Sequence, residues 1–230
     1  MNMDMNRIKI FVGPGGSGKT KAAIQLARSL LSDGKKVAAF KAYIDTRGVV
    51  AHLNYLTSRD GKEVRATRVK SASQILNLLD YSCMLIDGSY GVPDVILIDE
   101  AQFFGRDIIR VVEQLMRQHK KVIITGLARD CFGRPFRFVP QLMALAECSD
   151  DIVVKQSVCA VCRQLGATQI QRLINGQPAL LGRQVIVGED QDKFSQSKTT
   201  YEPRCSEHHL IGQTNWLRKV YFDILYRLQN

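Results

Sequence analysis

The 230-residue chain has no apolar run long enough to span a bilayer, which takes about 20 residues. Its first residues, Met1 to Arg7, lack the apolar stretch of a secretory leader. These absences point to a cytoplasmic protein with no membrane partner. Without a leader, the cysteines at positions 83, 131, 148, 159, 162 and 205 do not read as a disulfide framework. Internal repeats are also missing. Acidic residues are in short supply, 22 against 32 Lys and Arg, for a net charge of +10. Such an excess attracts polyphosphates or nucleic acid. The basic residues are spread along the chain, for example at Lys35-Lys36, Lys62 to Lys70 and Lys120-Lys121. No RNA- or DNA-binding signature accompanies them, so specific nucleic-acid binding is not expected.

What is present starts with Gly13-Pro14-Gly15-Gly16-Ser17-Gly18-Lys19-Thr20. This is a complete phosphate-binding P-loop between an apolar strand pattern (Ile8, Ile10, Phe11, Val12) and a helix pattern (Ala22, Ala23, Ile24, Leu26, Ala27). Glycines let backbone N–H groups turn inward around phosphate oxygens, and the helix N-terminus adds its dipole. Lys19 is placed to reach the β- and γ-phosphates, and Thr20 to hold Mg²⁺. The partner motif is Val95-Ile96-Leu97-Ile98-Asp99-Glu100, an apolar strand ending in two acids. Asp99 suits the Mg²⁺ shell, and Glu100 suits a base that accepts a proton from a hydroxyl or orients water.

Expected strands cover 7–12, 36–41, 82–86, 94–98 and 121–126, and expected helices 18–33, 71–80, 105–119 and 138–147. Near-continuous apolar strands alternating with helices predict an α/β fold: a P-loop (RecA-like) parallel sheet with helices on both faces. Residues 44–66 read as a long loop or flap, and 188–200 as a mobile polar loop. Cys83 and Cys148 read as buried small hydrophobes. The tail 213–228, with Trp216, Leu217, Val220, Phe222, Ile224, Leu225 and Leu228, reads as an amphipathic helix.

Cys159-x-x-Cys162 and Cys205-x-x-His208 are two ligand pairs separated by about forty residues. Three thiolates and one imidazole suit a tetrahedral structural Zn²⁺ with no open position for catalysis. His209 is an alternative to His208 as the fourth ligand. The expected organisation is a P-loop nucleotide-binding domain over 1–156, a small zinc-binding lobe over 157–209 and a C-terminal helical extension over 210–230.

Asp99-Glu100-Ala101-Gln102-Phe103-Phe104 resembles the Asp-Glu-x-Gln-Phe-Phe signature of the type II (cellular-type, zinc-containing) thymidine kinases. Further stretches agree: Lys41 with Asp45-Thr46-Arg47, Thr57-Ser58-Arg59-Asp60-Gly61, Gly126-Leu127 with Asp130 and Pro135-Phe136, Gln171 to Gly176 with Pro178-Ala179, and Tyr201 to Cys205. The resemblance covers residues 7 to 209.

The resemblance implies transfer of the ATP γ-phosphoryl to the 5′-hydroxyl of deoxythymidine, with Mg²⁺ on the donor. It implies Glu100 and Arg47 as catalytic residues, with Asp45 orienting Arg47, and Gln102 among the nucleotide-site residues. It implies a zinc lobe that projects a lasso over the nucleoside through Val185, Ile186, Val187 and Gly188, with Tyr201 on the sugar or base. Phe103, Cys131 and Ile170 fall at nucleoside-pocket positions. Homotetrameric assembly and inhibition by dTTP belong to the same implication.

Several positions depart from the family pattern. Gly15 and Gly16 stand where a Met and an aromatic are common, Cys131 replaces an aromatic, Ile170 replaces Thr, and Arg59 replaces His. The lasso is longer than usual, so Phe194 competes with Tyr201 for the aromatic role, and Phe132 is a second candidate to fill the pocket. An alternative reading is a single-domain P-loop ATPase acting on nucleic acid, because Asp-Glu-Ala-Gln also resembles helicase segments. A third is a relative that binds nucleotides without catalysis.

Overall fold

A computed structural model of the chain describes residues 7–44, 54–180 and 198–211. Strand β1 (Ile8–Val12) runs into the P-loop and helix α1 (Lys19–Ser32), followed by β2 (Val37–Ala42). A small hairpin, β3 (Tyr55–Thr57) and β4 (Glu63–Arg65), leads to β5 (Thr67–Val69) and α2 (Ser73–Leu79). Next come a two-stranded ribbon, β6 (Cys83–Met84) with β7 (Tyr90–Gly91), then β8 (Val95–Asp99), α3 (Asp107–Arg117), β9 (Lys121–Gly126), α4 (Val139–Met143) and β10 (Ile152–Val154). The remaining elements are β11 (Ser157–Val158), β12 (Leu165–Ala167), β13 (Gln169–Ile174), β14 (Gln177–Pro178) and β15 (Thr199–Arg204).

The central sheet has six strands in the order β10-β1-β9-β8-β2-β5. Every pairing in it is parallel. Because side chains alternate across a strand, its near-continuous apolar strands supply both faces. Ile8, Ile10, Phe40, Ile96, Ile98, Val122 and Ile124 pack with α2, α3 and α4 on one side. Phe11, Val37, Ala39, Leu97 and Ile123 pack on the other against Ala23, Ile24 and Ala27 of α1. Both motifs therefore emerge at the carboxyl ends of their strands, β1 for the P-loop and β8 for Asp99, on the edge where such sheets bind ligands.

Four expectations need correction. The strand expected at 82–86 is not in the main sheet; Cys83 and Met84 pair antiparallel with Gly91 and Tyr90. Residues 44–66 are not all loop, since 55–65 hold a hairpin. Thr199 and Thr200 belong to β15 rather than to a polar loop. Cys83 is buried as expected, but Cys148 is exposed. The physical reason is that α4 ends at Met143, so Cys148 falls in the turn beyond it instead of on a packed helix face. The tail helix expected at 213–228 lies outside the described residues. Among the described residues, no helix is long and apolar enough to cross a membrane.

The small sheet β14-β13-β15 and the ribbon β11-β12 make up the cysteine-bearing lobe. The imidazole Nε2 of His209 meets the Cys131 carbonyl at 3.1 Å and clasps the lobe to the sheet domain, while the Leu210 amide donates to Gln171 of β13 at 2.8 Å within the lobe. The Arg172 guanidinium also lies over the Phe132 ring, 5.4 Å from its centroid. Such a contact is worth about 0.5–2 kcal/mol when shielded from water.

Candidate functional site

The P-loop is shaped by its glycines and by an open helix end. Gly16 and Gly18 have φ of +78° and +83°, values that favour glycine. Helix α1 has no side-chain cap and no acid in its first turn. Its leading N–H groups are therefore available to an anion. Lys19 is buried, and its Nζ donates to the Pro14 carbonyl at 3.0 Å across the loop. The buried Ser17 hydroxyl has no partner. An orphaned hydroxyl and an uncapped helix start both fit a phosphate chain. Gly13 has φ of +152°, and a Cβ there would overlap the Lys155 carbonyl and come within 2.8 Å of Ser17 Oγ. Gly13→Ala should therefore destabilise the fold by about 1–3 kcal/mol, read as a lower melting temperature. An unchanged melting temperature would count against this account of the loop.

The acids at the end of β8 sit in a tight polar cluster beside this loop. Thr20 Oγ1 donates to Asp99 Oδ1 at 3.1 Å, and Thr125 Oγ1 donates to the same oxygen at 2.5 Å. Thr125 Oγ1 in turn accepts the Glu100 backbone N–H at 3.0 Å. Glu100 is buried, with a left-handed backbone at φ 52°. Gln102, fully buried, donates its amide to Glu100 Oε2 and accepts the Leu127 N–H at 3.0 Å. One glutamine thus holds the carboxylate of Glu100 and the loop after β9 in a single geometry. Hard oxygen donors, the Thr20 hydroxyl and the Asp99 carboxylate, are the ligand type Mg²⁺ prefers. Thr125 went unremarked in the sequence. Its signal was its place on an apolar strand just before Gly126-Leu127.

A narrow cleft opens next to the loop, lined by Gly13, Pro14, Leu127, Ala128, Arg129, Thr168 and Ile170. Ile170 reaches toward the loop, its Cδ1 3.8 Å from where a Gly15 Cβ would stand. Phe103 is partly buried and packs on the main core beside the acids. Cys131 is buried with its carbonyl taken by His209. Burial pushes its thiol pKa up. Phe132 is also buried, its ring flanked by the guanidinium of Arg134 at 4.9 Å and that of Arg172 at 5.4 Å. Tyr201 is exposed on β15, in register with Arg172. Asp45, Arg47, Val185, Ile186, Val187, Gly188 and Phe194 lie outside the described residues.

The two ligand pairs converge. One ligand atom from each of Cys159, Cys162, Cys205 and His208 lies within 4.8 Å of the others. The β11–β12 turn presents the first pair, and the second follows the end of β15; the Ala160 amide donates to the Pro203 carbonyl at 2.9 Å and ties them together. Burial pushes the Cys159 thiol up. The backbone amides of Cys205, Cys162 and Val161 and the Cys162 thiol outweigh this and hold it at about 6. Three sulfurs and an imidazole gathered in this way form a Cys₃His set that suits zinc. His209 is committed to the Cys131 carbonyl, so His208 completes the cluster.

Comparison with known proteins adds a family. A family model described as thymidine kinase matches residues 6–209. Among solved structures, the X-ray structure of the Legionella pneumophila ATPase DotB is similar at 13% identity and a TM-score of 0.38, over 70% of this chain and 44% of that one. This chain therefore spans less than half the length of that protein.

Proposed function

The chain belongs to the thymidine kinase family, and on that premise we propose that it transfers the γ-phosphoryl of ATP to the 5′-hydroxyl of deoxythymidine, giving dTMP and ADP. The observation that carries the reading is the buried Glu100 carboxylate, gripped by Gln102, one residue beyond the Asp99 that accepts from Thr20 of the P-loop. A base held there can take the proton of an attacking hydroxyl as the phosphoryl group moves.

The residues divide by chemistry. The backbone of 13–20 cradles the donor phosphates, and Lys19 exchanges its Pro14 carbonyl for a phosphate oxygen. Thr20 and Asp99 would hold Mg²⁺, which supplies neutralisation of developing phosphate charge. Gln102 orients Glu100 instead of touching the donor. Arg47 steadies phosphate charge, work for which a planar guanidinium is suited. Phe103, Ile170, Cys131 and Tyr201 border the nucleoside together with Val185 to Gly188. The Cys₃His cluster holds a structural zinc that stabilises a lobe too small to have a large core of its own. Homotetrameric assembly is part of the same proposal.

The alternative of a nucleic-acid-driven ATPase gains no support from a single six-stranded sheet and dispersed positive charge. The deciding experiment gives the purified protein Mg·ATP and a panel of nucleosides, with zinc content measured on the same sample. Deoxythymidine should be the preferred acceptor, with about one zinc per chain. Failure to phosphorylate any nucleoside would overturn the proposal.

A further inference from the structure

Arg59 stands at the tip of the β3–β4 hairpin, and that hairpin is docked on the nucleotide side of the sheet. Leu56 and Val64 are buried against α1. The turn is closed by the Ser58 amide donating to the Lys62 carbonyl at 2.8 Å and the Gly61 amide donating to the Ser58 carbonyl at 2.9 Å. Asp60, the next residue, pairs with Lys21 of α1 at 2.9 Å and accepts from Ser58 Oγ at 2.5 Å. Those two partners hold its carboxyl down at about 2. Arg28 of α1 also donates to the Glu63 carbonyl at 2.6 Å. The hairpin tip is thus fastened to the helix that starts at the P-loop.

From that mount the Arg59 guanidinium lies over the crest of the loop. A Cβ on Gly16 would overlap it, with Cζ 2.9 Å and Nη2 3.4 Å away; a Cβ on Gly15 would be 3.9 Å from Nη2. Gly16 leaves the room that this side chain fills, and a larger residue there would displace the guanidinium. Positive groups also converge on the crest, while the neighbouring Asp60 carboxylate is taken up by Lys21. The loop's N–H groups, the uncapped start of α1, Lys19 and Arg59 all present positive charge. Among the described residues no carboxylate pairs with Arg59. An anion between loop and guanidinium is the partner this arrangement lacks.

We propose that Arg59 is a ligand of the donor's terminal phosphoryl group, held from the hairpin tip across the crest of the P-loop. This rests on the phosphoryl-transfer reading above. The backbone N–H groups at the helix start take the inner phosphates, with Lys19 reaching across to the β- and γ-phosphates. The crest at Gly15-Gly16 faces the outermost one, where charge is redistributed as the group leaves. A guanidinium offers a fixed fork of donors and stays charged at any working pH. Arginines so directed raise phosphoryl-transfer rates by about 10³–10⁵-fold in other nucleotide enzymes. Here Arg59 is exposed and shares the task, so a smaller share is expected.

The test measures equilibrium binding of Mg·AMP-PNP and Mg·ADP, and kcat on deoxythymidine, for the wild type, Arg59→Ala and Arg59→Lys. Arg59→Ala should bind AMP-PNP about tenfold more weakly with ADP affinity within twofold, and kcat should fall about 100-fold, with Arg59→Lys intermediate. A melting temperature equal to wild type shows that the fold is intact. A fall in kcat alone supports a contact formed in the transition state, and a fall in AMP-PNP affinity alone supports one formed in the ground state. If neither changes, or if ADP and AMP-PNP weaken equally, the proposal is overturned. A wild type that phosphorylates no nucleoside refutes the kinase reading, while the AMP-PNP and ADP comparison still decides Arg59.

Discussion

Glu100→Gln is expected to lower kcat on deoxythymidine by about 10²–10⁴-fold while leaving Mg·ATP affinity within a few-fold. Glutamine keeps the size and an acceptor oxygen for the Gln102 amide, so the grip on residue 102 and its tie to Leu127 survive. The Asp99 contacts with Thr20 and Thr125 do not involve the replaced group. Only the ability to accept a proton is lost. Steady-state kinetics with a fluorescent-nucleotide binding assay would separate the two effects. Retention of most of the turnover would remove Glu100 from the base role.

Removing the zinc proposed for the Cys₃His cluster should have a comparable effect, by another route. Zinc binding by small structural sites is worth about 10–16 kcal/mol in model peptides, far more than β11, β12 and β13 can gain from their own burial. Cys159→Ala should release zinc, lower the melting temperature of the lobe and abolish nucleoside phosphorylation. The loss should propagate because His208, a ligand, is followed directly by His209, which reaches the Cys131 carbonyl. Once residue 208 is released, residue 209 loses its fixed position and the lobe loses a clasp on the sheet domain. Zinc content, thermal denaturation and activity on one sample decide the matter. A variant that keeps full activity without zinc would show that the cluster is dispensable.

Much of this site was readable because its chemistry is local. The P-loop, the Asp99-Glu100 strand end and the two ligand pairs each lie within a few consecutive residues, and each needs certain residue types at set spacing. Long apolar strands such as Lys121–Gly126 were equally plain. Short edges were not. Thr67–Val69 and Ile152–Val154 flank the sheet with three residues each, too few to show a period. The hairpin at 55–65 was hidden because its tip, Arg59 to Lys62, is polar, and polar residues there read as loop. Cys148 reads as buried because the apolar stretch around it suggests a longer helix than the observed Val139–Met143. Arg59 showed only as a departure from a pattern. Its meaning depends on the room that Gly16 leaves for its guanidinium, and no local pattern encodes a contact between segments so far apart in sequence.

The left-handed backbone at Glu100 sets two selective pressures against each other. That conformation costs a residue with a Cβ roughly 1–2 kcal/mol, and glycine would relieve it. A chain selected only for thermal robustness would drift toward glycine at this position and lose its carboxylate. On the proposed base role, a carboxylate held in so unfavourable a backbone trades durability for turnover. Stabilised versions of this protein should therefore be sought elsewhere on the fold, because the most obvious strain to remove is the one the proposed chemistry requires.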